Sequence, residues 1–257
     1  MIDPFVLLAP VLLLAVVALL HFVGCDWVFG LHSTTVAVPI AFEQIAQNQS
    51  PPNSTGVTTL SAMFNKSTNN GDLIIVALKW GGTATPTVKD GNDNVYTPLG
   101  TPVSWSAGNA KRAQLFYSVA DGTKTTLTAT LSQASTAQIR LCMCEYSEVY
   151  TASPIEGSPM SNTGSGPNLS CGSLDVTAQN MVWAVAFADD GQLALSQGSS
   201  FALRAPASVN DNPYTLVEDI LEAPNTGNYF ADGANTDTSP TINWVMLMVS
   251  VVSNINA

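Results

Sequence analysis

Two hydrophobic periods divide the chain. From Phe5 to Val23 the run "FVLLAPVLLLAVVALLHFV" has no charged residue, and only His21 is polar. At the rise of an α-helix this run is about 29 Å long, close to the hydrocarbon thickness of a bilayer. Asp3 is placed to cap such a helix and Pro4 to begin it. Pro10 predicts a kink that a lipid-embedded helix tolerates, and Phe22, Trp27 and Phe29 fall where an interfacial aromatic belt would lie. A cleaved signal would carry a basic start and a shorter apolar run. "MIDPF" has no Lys or Arg, and the alternative lipid-attachment box "FVGC", ending at Cys25, lacks the same basic start. The pattern predicts a retained transmembrane helix within an anchor segment, residues 1–30.

Beyond "HSTT" the period becomes two, the alternation of half-buried strands. Candidate strands are "VTTLSAMF" (57–64), "DLIIVALKW" (72–80), "AQLFYSVA" (113–120), "TTLTATL" (125–131), "AQIRLCMCEYSEV" (137–149), "MVWAVAFA" (181–188) and "YTLVEDIL" (214–221), with weaker ones near 37–43 and 171–177. Between them stand turn formers: "NNGD", "KDGNDN", "VADGTK", "ADDGQ" and "APNTGN". The expected fold is all-β: one two-sheet, jelly-roll-like β-sandwich over residues 31–257, preceded by one N-terminal transmembrane α-helix. The last strand, "INWVMLMVSVV" (242–252), is almost wholly apolar, which predicts a central position covered on both faces. No internal repeat is visible.

Charge narrows the partners. A net charge of −11 with 11% charged residues repels nucleic acid and anionic lipid surfaces. The eight Lys and Arg all lie far from the apolar segment, so loop charge does not orient it in a membrane.

The succession "GDLIIVALKWGG", "VKDGNDNVYT", "QLFYSVADGTKTTLTATL", "CEYSEV…SPIE", "FALR", "LVEDI" and "NWVMLMVSV" resembles a large, mostly uncharacterised group of bacterial secreted or surface β-sandwich modules, over roughly residues 40–252. The resemblance implies a β domain outside the cytoplasmic membrane, periplasmic or at the cell surface, on a single-pass anchor. It brings no catalytic residues with it. Cys142, Cys144 and Cys171 depart from the group's pattern, and the N-terminal span is an addition.

Chemistry-bearing residues are sparse. The two histidines, His21 and His32, lie in or beside the apolar segment, so the sandwich can hold neither a Ser–His–Asp triad nor a His-rich zinc site. Among the carboxylates, Glu145, Glu148, Glu218, Asp219 and Glu222 could supply a glycosidase pair, but no motif singles one out. Asp90, Asn92 and Asp93 in "DGNDN" are oxygen ligands of the kind calcium takes; the same residues also make a hairpin turn. Cys142 and Cys144 share a strand face, and a disulfide from either to Cys171 suits an oxidising compartment. His21 could ligate a tetrapyrrole, and "LLLAVVALLHF" resembles a bacterial light-harvesting helix over a dozen residues. The bland reading is a histidine reaching the headgroups or a neighbouring helix.

Three functions fit these observations, and none needs catalysis. The one expected first is a structural or accessory subunit of a membrane protein complex, its partners other integral membrane proteins. In it the small residues Ala9, Ala15 and Ala18 would pack against another helix. The others are a surface module binding glycan or protein, for which Trp105 and Tyr229 are the aromatic candidates, and a polymer subunit of a filament or virion. No cofactor and no small-molecule substrate is expected.

Overall fold

The computed structural model describes residues 38–51, 54–105, 111–123, 126–188, 195–205, 215–235 and 242–256. The predicted span, with Ala9, Ala15, Ala18 and His21, and Cys25 beyond it, lies outside them. The chain divides into residues 1–37 and 38–257, and only the second unit is described. Among the described residues there is no α-helix, and no helix is long and apolar enough to cross a membrane.

The first eight strands are β1 (Ala41–Gln49), β2 (Thr59–Met63), β3 (Asn70–Gly81), β4 (Pro86–Asp90), β5 (Thr97–Trp105), β6 (Lys111–Asp121), β7 (Thr126–Leu131) and β8 (Arg140–Ser147). The next eight are β9 (Ile155–Ser165), β10 (Asn168–Val176), β11 (Met181–Ala188), β12 (Leu195–Gln197), β13 (Ala202–Ala205), β14 (Thr215–Ile220), β15 (Gly227–Asn235) and β16 (Asn243–Val251). The first set forms the sheets β1-β8-β3-β6-β5 and β2-β7-β4; the second forms β9-β16-β11-β14-β13 and β10-β15-β12. Adding eight to every strand of the first half gives the order of the second. Each half has the strand order of a jelly roll, except that its fifth strand pairs with the sixth. The body is therefore a duplicated sandwich of four sheets, where the sequence pattern suggested a single pair.

Three apolar cores hold the sheets together. One lies between the two five-stranded sheets and collects Leu73, Ile75, Cys144 and Tyr146 from the first half with Trp183, Val185, Val217 and Leu247 from the second. The other two lie on the far faces of the same sheets. Ile74, Val76 and Leu78 pack with Leu127 and Ala129 of β2-β7-β4, and Val182, Ala184 and Met246 pack with Leu169 and Ala231 of β10-β15-β12. Successive residues of β3, β11 and β16 thus enter opposite cores, so their middles are apolar and buried polar residues, Asp72, Lys79 and Ser250, come only toward strand ends. This is the physical reason for the unbroken runs "LIIVAL" and "WVMLMV". β16 lies between β11 and β9, next to the sheet edge, and is covered on both faces.

All four edge strands of the five-stranded sheets carry an irregularity: β1 between Phe42 and Gln44, β5 between Leu99 and Val103, β9 between Glu156 and Met160, and β13 between Leu203 and Ala205. In each case the extra residues sit on the edge strand. Such bulges spoil the regular ladder that another chain's strand would need.

Gly164 of β9 stands opposite Trp244 of β16, and a Cβ there would lie 2.3 Å from the indole Cζ2. Gly164→Val should drive the ring out of its place and destabilise the body by roughly 1–3 kcal/mol. Chemical denaturation of the full chain in detergent measures the loss; an unchanged midpoint would show that Trp244 can move freely.

Candidate functional site

A largely buried polar cluster joins the two halves. Tyr146 of β8 donates its hydroxyl to Asp219 Oδ2 at 2.7 Å. Arg204, the bulged residue of β13, holds the same carboxylate with two bonds, Nε to Oδ2 at 2.7 Å and Nη2 to Oδ1 at 2.9 Å. Its guanidinium lies 4.4 Å from the Phe42 ring centre, and Phe42 meets Tyr146 edge-on at 5.7 Å. Burial pushes the Tyr146 hydroxyl well above its usual range, with Cys144 and Asp219 adding to the effect. A buried carboxylate held on two sides by protein donors has no oxygen free for a substrate. This cluster fastens β1 and β8 to β13 and β14.

Asp219 and its neighbour Glu218 point into opposite cores, so adjacency in sequence does not make them a pair. Glu218 is fully buried; one oxygen accepts the Gly198 N–H at 2.9 Å and the other has no partner among the described residues. Burial pushes its carboxyl up to about 8; Asp232 and Asp219 reinforce the shift and the Gly198 N–H opposes it. The close pair is Asp72 with Glu145, between β3 and β8. Both are raised chiefly by burial and share a side-chain hydrogen bond. Asn69 donates to both, its Nδ2 to Asp72 at 2.9 Å and its backbone N–H to Glu145 at 3.0 Å, while Gln44 donates to the other Glu145 oxygen. Bonded carboxyls leave no room for a sugar between them, whereas a retaining glycosidase holds its pair about 5 Å apart. Glu148 lies in the link between the halves, and Glu222 is exposed.

Other residues singled out by sequence have structural places. Asp90 Oδ1 accepts the N–H groups of Asn92 and Asn94 at 2.9 and 3.0 Å. Asn92 turns its amide to Asp121 and Thr123, and Asp93 faces Lys89 at 3.3 Å. The three suggested calcium ligands thus point to different partners within a self-bonded turn. Among the described residues no group of three or more His, Cys, Asp and Glu is placed around a metal.

The suggested disulfide needs correction. Cys142, Cys144 and Cys171 are free thiols. Cys142 and Cys144 lie in the central core and Cys171 in the outer core of the second half, with a sheet between them. Trp105 is also reassigned: at 5% exposure it belongs to the central core and offers no surface platform.

The surface features lie along β15. Asn228, Phe230 and Asp232 alternate outward, while Tyr229 and Ala231 turn toward the core. Phe230 is 59% exposed. The Tyr229 hydroxyl is fixed by the Asn225 backbone, donating to its carbonyl at 2.8 Å and accepting its N–H at 3.2 Å. Beside Phe230 is a hollow of about 350 Å³ lined by Ser200, Phe201, Ile220, Pro224, Asn228 and Tyr229. Further along the strand is a more polar one of about 400 Å³, lined by Asn168, Ser170, Gln197, Gly198 and Asp232 among others. Sequence reading found Tyr229 but passed over Phe230; the outward phase of β15, fixed by pairing with β10, was the missing information.

No family model matches the chain, and no curated protein matches it. Among solved structures, the STIV MCP aligns at a TM-score of 0.27 and 7% identity, over 82% of this chain and 97% of that one. AerE from Microcystis aeruginosa aligns at 0.24 and 10% identity, over 84% and 94%. Scores this low carry no argument about fold or activity.

Two outcomes test the interior. Glu218 keeps its proton to about pH 8 when folded, whereas the unfolded chain loses it near the usual carboxyl value, so stability should fall as pH rises across that window. Glu218→Gln should flatten part of this slope and raise the denaturation midpoint at pH 8.5 more than at pH 5; equal effects at both would show the carboxyl ionised in the fold. Burial holds the Cys144 thiol well above its usual value and pushes Cys171 up to about 12. Iodoacetamide followed by peptide mapping should leave Cys142, Cys144 and Cys171 unmodified in the native chain and modify all three, without reductant, once it is unfolded.

Proposed function

We propose that this protein is a non-catalytic structural subunit of a larger surface assembly, a filament or a virion. The observation that carries the reading is the duplication: two sandwiches in one chain, fused through sheets whose both faces are buried. That is the construction of a stiff block. Jelly rolls serve as shell and lectin domains, and of the carboxylates that could have suggested hydrolysis Glu145 is bonded to Asn69 and Gln44, Asp219 is clamped by Arg204 and Glu218 is buried apart.

The bulged edges narrow how such copies would meet. Strand-to-strand addition on the five-stranded sheets is disfavoured, which leaves the outer faces, the loops and the apolar N-terminal segment. A single-pass accessory subunit of a membrane complex would use that same segment, but no feature of the β body favours a membrane partner over a second copy.

Negative-stain electron microscopy and sedimentation of the full chain, while detergent is withdrawn, test the reading. The expected result is ordered particles or filaments with a regular repeat. A lone monomer at every concentration would overturn it and leave the surface-binding function in its place.

A further inference from the structure

We infer that the groove along β15 is a binding site for a neutral saccharide, with the Phe230 ring as its platform. This stands apart from the assembly reading, because a building block and a free module could each carry it. The two halves differ in their outer sheets. In the first half β4 pairs with β7 from Pro86 to Asp90. Among the described residues the equivalent β12 of the second half pairs with β15 only from Leu195 to Gln197. Past Gly198 the chain turns away, with the Phe201 N–H bonded to the Gly198 carbonyl. The outer sheet therefore stops short, and the hollow of about 350 Å³ opens beside Phe230 where a longer β12 would have run.

The lining selects the ligand. Among the described residues no charged side chain lines this hollow. Its floor is apolar, from Phe201 and Ile220, and Pro224 and the pinned Tyr229 complete its wall. Among the described residues neither the Asn228 amide nor the Ser200 hydroxyl has a hydrogen-bond partner. An apolar floor with a few free polar groups at the rim is the usual make-up of a small-ligand site, and its volume falls in the usual range. A neutral pyranose matches it: one face presents C–H groups to the electron-rich face of an aromatic ring, and its edge presents hydroxyls to an amide and a hydroxyl.

The second hollow extends the site. Asp232 follows Phe230 by two residues on the same outward face, about 7 Å along the strand. Its carboxylate stands beside Ser170, Gln197 and Asn168. This places hydroxyl partners about one sugar unit further on, so the groove fits a chain of at least two residues. The same carboxylate, on a chain of net charge −11, disfavours an acidic glycan.

Isothermal titration calorimetry of the full chain in detergent tests this with maltohexaose, cellohexaose, chitohexaose and the acidic polymer polygalacturonate. At least one neutral hexasaccharide should bind. Phe230→Ala should weaken that binding at least about ten-fold and Asn228→Ala several-fold, while Phe230→Trp should keep it. Because Phe230 is largely exposed, its replacement should leave the unfolding midpoint unchanged, which separates lost binding from lost fold. Met63→Ala, which removes the exposed apolar side chain of the other outer sheet, is the control expected to bind as the native chain does. No binding by any neutral hexasaccharide at millimolar concentration, binding of polygalacturonate alone, or unchanged affinity in Phe230→Ala would each overturn the inference.

Discussion

Burial of both faces of the two five-stranded sheets is the constraint on which the rest of the structure depends. A sheet with one wet face alternates polar and apolar residues; a sheet with none reads as near-continuous apolar runs. That requirement sets the composition of β3, β11 and β16, where Ile74 and Ile75, or Met246 and Leu247, serve different cores. It also decides the fate of ionisable groups. A charge between these sheets has no water to turn to, so it must be matched inside the protein. Asp219 is matched by Arg204 and Tyr146. Glu218, with one backbone donor, is held neutral, and Asp72 and Glu145 are raised together as a hydrogen-bonded pair.

The duplicated strand order explains why the halves fit. Their five-stranded sheets carry the same order, so β1 of one comes near β13 of the other at one border, where the guanidinium of Arg204 lies over Phe42. At the opposite border β5 approaches β9, and Gly100, with φ of +65°, admits the Pro159 ring at a place where a Cβ would come within 3.2 Å of it. The edge bulges come in matching sizes: one extra residue each on β1 and β13, and two each on β5 and β9. The match is therefore between facing strands and not between equivalent ones, since β1 differs from β9 and β5 from β13, and the extra residue of β13 is the arginine that fastens the halves.

What could be read from the sequence follows from the same constraint. Doubly covered strands announce themselves as apolar runs, so β3, β8, β11, β14 and β16 were visible, as was the double covering of β16. The edge strands were not. "TPLGTPVSW" and "IEGSPMSNTGS" contain the bulges, and a bulge interrupts the period of two on which recognition rests. Without β5 and β9 the tally of strands suggested one sandwich, and the repeat stayed hidden because the halves share burial pattern but not side chains: "RLCMCEYS" corresponds to "NWVMLMVSV". Cys171 was misplaced for the same reason, since its core is defined by a strand order that no local pattern reveals. For the surface site, Tyr229 stood out by residue type, yet the next residue carries the exposed ring. Which of two neighbours faces water is a question of pairing phase.

The bulged edges and the shortened outer sheet point in one direction. A β body normally offers two kinds of contact: its edges, which accept any strand, and its faces, which accept only a matching surface. Here the inner sheets have irregular edges on every side, which disfavours indiscriminate pairing. Selective contact then falls to the outer faces, and these are unequal. The face of β2-β7-β4 is closed by Ser61 bonded across it to Thr128 at 2.8 Å and by β4 paired to β7 from Pro86 to Asp90. The face of β10-β15-β12 is open where β12 ends, with an exposed ring and unbonded polar groups beside the gap. The two sandwiches therefore differ, one outer sheet closed and the other breached, and the breached one is where this body is best equipped to recognise something other than itself.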